Sequence, residues 1–214
     1  MNKKEIYNYL NSKNVWHEIT EHEAVYNMEE LSEVSLPYPE ADAKNLFVRD
    51  DKKKNYYLIT VKGNKRVDLK EFRRKNNTRP LTFASESDLM NIMGLIPGAV
   101  TPLGILNDEE CKVQFFLDKE FLSSPGIIGI HPNDNTATVW LKTENLIQII
   151  KEHGNIVNMI FEVLIDKQEI TREDLLQIFA KCNSYIVGFD DKKISQYLEE
   201  NITQTDVPND FVCN

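Results

Sequence analysis

The chain is poor in cysteine, and the three it has, Cys111, Cys182 and Cys213, are odd in number and widely scattered. A disulfide framework needs paired thiols, so this pattern predicts reduced cysteines and a cytoplasmic protein. Long hydrophobic runs are missing too: none approaches the roughly 20 apolar residues that cross a bilayer. Met1-Asn2-Lys3-Lys4-Glu5 is basic but has no apolar segment behind it, so neither a secretory leader nor a membrane partner is expected. The sequence contains no Gly-x-x-x-x-Gly-Lys, no Gly-x-Gly-x-x-Gly and no Gly-x-Ser-x-Gly. Nucleotide hydrolysis, dinucleotide binding and the α/β-hydrolase elbow therefore lack support. His17 and His22 lie five apart, which does not put two ligands on one helical face, and no Cys pair assists them. No metal and no organic cofactor is expected.

Net positive charge is also absent overall, at −9, yet the charge is unevenly spread. Residues 44–80 hold 13 Lys/Arg against 4 Asp/Glu, a local balance of +9, while the other 177 residues hold 12 against 30, or −18. A basic block within an acidic chain is a footprint suited to phosphates. Lys52, Lys53 and Lys54, beside Asp50 and Asp51, read better as a solvated hairpin tip. Arg66, Arg73, Arg74, Lys75 and Arg79 are the candidates for phosphate contact.

What is present is a 214-residue chain with 41% hydrophobic residues, enough for a packed core. Ile6, Tyr7 and Leu10 recur at helical spacing, and Asn27 with Glu30 has capping character ahead of a short helix to about Val34. Strands are expected at 44–50 and 56–62, joined by a charged turn, followed by a basic helix from Asp68 to Lys75 that Arg79-Pro80 ends. Leu81 to Ala84 reads as a short strand, and Ser85 with Asp88 as a capping box. Gly94 to Gly98 forms a loop. Further strands are expected at 112–117, 127–130 and 136–142, the last two bridged by Pro132-Asn133-Asp134-Asn135. Thr143 is expected to cap an amphipathic helix carrying Leu146, Ile147, Ile149 and Ile150 and closed by His153-Gly154. Beyond about residue 165, Thr171 opens one apolar-periodic helix and residues 190–200 form another. Helices interspersed irregularly among strands indicate an α+β fold rather than a doubly wound sheet. The division expected is a domain at 1–162 and a helical extension with a polar tail at 163–214.

Three segments carry chemistry. Lys44-Asn45-Leu46-Phe47 puts a cation and an amide at the mouth of a strand. Gly98-Ala99-Val100-Thr101-Pro102 is a loop whose glycine and proline can hold backbone N–H groups toward a ligand. Gly129-Ile130-His131-Pro132, followed by Asn135-Thr136, adds a histidine. Taken singly, Lys44 reads as a solvated charge, the loop as an ordinary turn and His131 as a turn residue. Thr101 has the hydroxyl of a nucleophile, but no base adjoins it in sequence.

In order and spacing these segments, with Glu21-His22 ahead of them, resemble the YbaK-type aminoacyl-tRNA deacylases over roughly residues 1–160, and within them the stand-alone prolyl-tRNA editing proteins. The resemblance implies a mixed, strongly curved β-sheet with flanking helices, and hydrolysis of a mischarged aminoacyl-tRNA, alanyl-tRNA(Pro) first among substrates. It implies catalytic roles for Lys44, Gly98 and His131, with Asn45, Leu46, Val100, Thr101, Pro102, Ile130 and Asn135 around the substrate. Lys44 would neutralise a phosphate or nearby oxygen, and the loop N–H groups would meet the developing oxyanion. The ribose hydroxyl beside the ester would help to activate water, so no strong protein base is needed. The implied partners are the aminoacylated tRNA end and prolyl-tRNA synthetase. Two other readings stay open: a deacylase for cysteinyl- or another small-amino-acid tRNA, and a non-catalytic module that binds tRNA or a synthetase.

Overall fold

A computed structural model describes residues 1–24 and 36–160, all within one compact unit, Met1–Asp166. The helix expected from Asn27 and both helices expected beyond residue 165 lie outside the described residues. The elements are α1 (Lys3–Ser12), β1 (His17–Glu21), β2 (Ala43–Asp50), β3 (Tyr56–Lys62), α2 (Leu69–Asn76), β4 (Leu81–Phe83), α3 (Glu86–Met93), β5 (Val113–Asp118), β6 (Ile127–Ile130), β7 (Ala137–Lys142), α4 (Thr143–His153) and β8 (Val157–Ile160). Short 3-10 turns lie at Pro39–Ala41, Pro102–Asn107 and Lys119–Leu122.

The strands form two sheets rather than one strongly curved sheet, which corrects that part of the expectation within an α+β fold that is otherwise as expected. One sheet has the order β4-β2-β3-β5-β8 and the other β1-β7-β6. In the five-stranded sheet β2 pairs antiparallel with β3 and β4, whereas β3–β5 and β5–β8 are parallel. Period-two alternation divides β3 between two cores. Tyr56 and Leu58 join the main cluster with α1, α3 and α4, while Tyr57, Ile59 and Val61 meet Phe72 of α2 on the other face.

Local chemistry sets the helix ends. Asp68 accepts hydrogen bonds from the backbone N–H groups of Lys70 and Glu71, and Arg73, Arg74 and Lys75 in the last turn complement the helix dipole. Ser85 and Asp88 form the expected reciprocal capping box. Thr143 differs from expectation: it is the first residue of α4 and makes no cap bond. Its buried hydroxyl instead donates to the carbonyl of Phe121 at 2.7 Å, tying the helix to the turn after β5. On the β6–β7 hairpin Gly129 pairs with Trp140. A Cβ on Gly129 would stand 2.1 Å from the indole Cζ3, so only glycine lets that fully buried ring lie across β6.

Candidate active site

The three segments singled out in the sequence meet through side-chain to backbone hydrogen bonds. Asn45 sits directly opposite Thr60, whose hydroxyl donates to Asn45 Oδ1 at 2.7 Å. That bond fixes the amide so that Asn45 Nδ2 donates to the carbonyl of Val100 at 3.0 Å. One residue on, the Thr101 hydroxyl donates to the carbonyl of His131 at 2.7 Å. The His131 ring then closes on its own hairpin, with Nδ1 2.9 Å from the carbonyl of Ala137. A carbonyl can only accept, so Nδ1 carries the proton and Nε2 is left as the acceptor. Burial lowers the His131 pKa below the ordinary histidine value; the Ala137 bond opposes that and nearby His22 adds to it. The His22 ring lies 6.1 Å away, with its Nε2 3.1 Å from Thr138 Oγ1.

The loop between these anchors has the backbone its sequence requires. Gly98 adopts φ +89°, a region that favours glycine. Pro102 is buried and starts the 3-10 turn, and the Thr101 side chain is wholly buried. Among the described residues no partner accepts from the backbone N–H of Val100 or of Thr101.

Lys44 lies on the other face of β2. Side chains alternate along a strand, so Asn45 and Phe47 face the loop and main core while Lys44, Leu46 and Val48 face α2. Lys44 and Leu46 line a groove of about 570 Å³ with Arg66, Val67, Asp68, Leu69 and Lys70. Lys44 Nζ donates to the carbonyl of Lys65 at 2.8 Å. The Lys65 ammonium is itself partly buried, 2.8 Å from Asp118 and 2.7 Å from Glu120. Burial first, then the neighbouring Arg66 charge, lowers the Lys44 pKa. β4 pairs with β2 from Val48 to Asp50, the Ala84 N–H extends that edge to the Phe47 carbonyl, and a bridge joins Asp42 to Gly129. Among the described residues this edge of β2 therefore lacks a paired strand only from Ala43 to Leu46.

The remaining candidates divide. Ile130 is packed into the main core and Asn135 is buried, whereas Leu46 lies across the strand from Val100 and Ile130, so those three do not line one pocket. Arg66 joins Lys44 in the groove. Arg73, Arg74 and Lys75 occupy the last turn of α2, where Arg74 and Lys75 reach Glu71 at 3.1 and 3.8 Å. Arg79 forms a two-pronged pair with Asp51, at 2.6 and 2.9 Å. Among residues the sequence did not single out, Thr60, Lys65, Lys70 and Asp118 complete the arrangement. Thr60 had a signal in its cross-strand register with Asn45, and Lys65 and Lys70 in their place within the basic block; Asp118 had none.

Residues 22–149 match the aminoacyl-tRNA editing domain, a stretch holding all three segments and most of the chain. The chain belongs to that family. The prolyl-tRNA editing protein ProX of Acetoanaerobium sticklandii is 39% identical over 137 residues, covering 64% of this chain and 83% of that protein. Prolyl-tRNA synthetase associated domain-containing protein 1 of Mus musculus is 32% identical over 141 residues, with 64% and 83% covered. Among solved structures, one described as a trans-editing enzyme for prolyl tRNA synthetase superposes with a TM-score of 0.57 at 20% identity, covering 75% of this chain and 96% of that one. That likeness concerns the fold.

As a member of the editing family the protein is an aminoacyl-tRNA deacylase, an ester hydrolase. The chemistry suits the groups present. An aminoacyl ester is already activated, so the demands are a placed water and donors for the tetrahedral oxyanion. Val100, only partly buried and with its N–H unclaimed among the described residues, lies on a loop held by Asn45 and Thr101, whereas Thr101 is wholly buried. The Thr101 hydroxyl is committed to a main-chain carbonyl, not to an imidazole, and so lacks the base a nucleophile requires. Among the described residues no three His, Cys, Asp or Glu side chains gather as metal ligands, and no helix is long and apolar enough to cross a membrane.

Proposed function

We propose that the protein edits prolyl-tRNA synthetase errors in trans, hydrolysing alanine from tRNA(Pro) in the cytoplasm. The observation that carries this reading is the chain of bonds from Asn45 through Val100 and Thr101 to His131, back to back with the Lys44 cation across a short stretch of β2 that, among the described residues, has no strand partner on one edge. The terminal ribose straddles that stretch. Its aminoacyl ester lies on the loop side, and its phosphate lies on the Lys44, Arg66 and Lys70 side. The Val100 N–H takes the oxyanion, neutral His131 accepts through Nε2 from the substrate ammonium, and the adjacent ribose hydroxyl orients the water. Lys44 acts as a point charge and does not attack.

The substrate assignment follows from discrimination energetics. A synthetic site shaped for proline rejects alanine weakly, since the smaller side chain still enters and loses only modest apolar contact. A second site that admits alanine and excludes proline restores accuracy. The ProX relative's name, prolyl-tRNA editing protein, supports the same tRNA. The deciding experiment incubates the full chain with alanyl-, cysteinyl- and prolyl-tRNA(Pro), beside Lys44→Ala. Hydrolysis of the alanyl ester is expected, strongly reduced but still measurable in Lys44→Ala. Preference for the cysteinyl ester would reassign the substrate, and inactivity on all three would leave only a binding module.

A further inference from the structure

One large side chain on the groove face is left mostly exposed. Phe83 closes the edge strand β4 and is 64% exposed, the largest value among the exposed large hydrophobic residues described. Its direct cross-strand partner is Val48, which packs with Ile59 and Phe72 on the α2 side of the sheet. Opposed residues of an antiparallel pair share a face, so Phe83 lies on the side of Val48, Leu46 and Lys44. Leu81, two residues earlier, packs on that same cluster, which confirms the orientation. Leu46 is the diagonal neighbour of Phe83, about 7–8 Å away and within reach of an aromatic ring. The groove that holds Lys44, Arg66 and Lys70 therefore runs toward an exposed phenyl ring.

Cations beside an unpartnered aromatic match a ligand that carries phosphates and a flat base together. A duplex does not fit, because its bases are stacked on one another and unavailable to a side chain. An unpaired strand does, and base–aromatic stacking with a backbone-tracking basic groove is the general mode of single-strand binding. We propose that Phe83 is a stacking platform for an unpaired base of the single-stranded 3′ end of the tRNA, whose phosphates follow Lys44, Arg66 and Lys70. This rests on the deacylase reading above for the identity of the strand. It adds a base-binding position outside the three motif segments, on the opposite face of β2 from the reacting ester.

The test measures affinity of the full chain for deacylated tRNA(Pro), and for the same tRNA trimmed of its 3′ single-stranded end, comparing wild type, Phe83→Leu and Phe83→Tyr. Because the side chain is exposed, all three should melt at the same temperature. Phe83→Leu is expected to weaken binding of the intact tRNA roughly ten-fold, with Phe83→Tyr restoring it. The trimmed tRNA should be bound equally by all three proteins. The dependence of affinity on salt should keep its slope in Phe83→Leu, since no phosphate contact is removed. Equal affinity of Phe83→Leu and wild type for intact tRNA would overturn the proposal, as would an equal loss on trimmed tRNA or no tRNA binding by wild type. Unchanged tRNA affinity with lost binding to prolyl-tRNA synthetase would assign Phe83 to a protein contact instead. Deacylation is scored separately: ring-dependent binding without ester hydrolysis would sink the reaction and leave the stacking platform standing.

Discussion

Asn45 Nδ2 donates to the carbonyl of Val100 at 3.0 Å, so the strand that presents Lys44 and the loop that presents the backbone donors are locked to each other by one amide. The amide is oriented by Thr60, which is fully buried. Asn45→Ala would leave a buried hydroxyl and a carbonyl without partners, at a cost of about 1–3 kcal/mol. Asn45→Asp keeps the acceptor for Thr60 but has no hydrogen to give Val100. Thermal melts should place Asp between Ala and wild type at neutral pH. In alanyl-tRNA hydrolysis both variants should lose kcat, because both free the loop. Wild-type kcat in Asn45→Asp would show that the bond to Val100 is not needed for turnover.

On the opposite face, Asp118 and Lys65 stand behind Lys44. The Lys65 side chain is 13% exposed and that of Asp118 only 2%, and the Lys65 carbonyl receives the Lys44 ammonium. Removing one partner of a buried ion pair costs up to about 3–5 kcal/mol, softened here by Glu120, which also reaches Lys65. Asp118→Asn should therefore lower both the melting temperature and kcat/KM. A positioning role makes a sharper demand: in a Lys44→Ala background the same change should cost no further activity. Additive losses would make Asp118 structural only.

These two faces explain how far the sequence could be read. Most strands and helices followed from periodicity and capping, because Ser85 with Asp88 and the alternation of Tyr57, Ile59 and Val61 are local patterns. β1 and β8 escaped notice: His17–Glu21 and Val157–Ile160 alternate weakly and acquire strand character only by pairing with β7 and β5. Thr143 looked like a cap because it precedes an apolar run, but tertiary packing gave its hydroxyl to Phe121. The site segments were legible as residue types in order. Their division across β2 was not, since the adjacent letters Lys44 and Asn45 carry no mark that one faces the groove and the other the Val100 loop. The pairing of Lys65 with Asp118 was hidden because it joins residues 53 apart in sequence.

Gly129 gives a structural prediction free of any assumption about substrate. Trp140 is fully buried, with its Nε1 donating to Thr20 at 3.0 Å, so the ring is held and cannot easily withdraw. A methyl group on residue 129 would collide with three ring atoms, the nearest at 2.1 Å. Gly129→Ala should cost about 1–3 kcal/mol or more by overpacking, read as a lower denaturant midpoint. Since His131 lies two residues further on, activity should fall with it. Gly129→Ala combined with Trp140→Phe should recover part of the loss, the smaller ring leaving room for the methyl. No recovery would place the strain elsewhere.

The pH dependence has a predictable shape, because the two faces titrate in the same direction from opposite ends of the scale. Burial lowers the His131 pKa, so the native protein binds that proton more weakly than the unfolded chain. Its contribution to stability is present above the ordinary histidine value of about 6.5 and declines as pH falls through it toward the native value. The acceptor at Nε2 is lost over the lower, native range, so kcat/KM should show an acid limb below about 6.5. For Lys44 burial and then Arg66 lower the pKa, and the cation is lost as pH rises through a value below the ordinary lysine range. An alkaline limb should appear there once spontaneous ester hydrolysis is subtracted. Lys44→Arg should remove that alkaline limb and leave the acid one, because guanidinium stays charged throughout. His131→Asn should do the reverse among whatever activity remains. The substrate ammonium, which deprotonates near the α-amino value of about 8, gives an alkaline limb common to both proteins. A further limb above it that persisted unchanged in Lys44→Arg would take Lys44 out of the charge-bearing role.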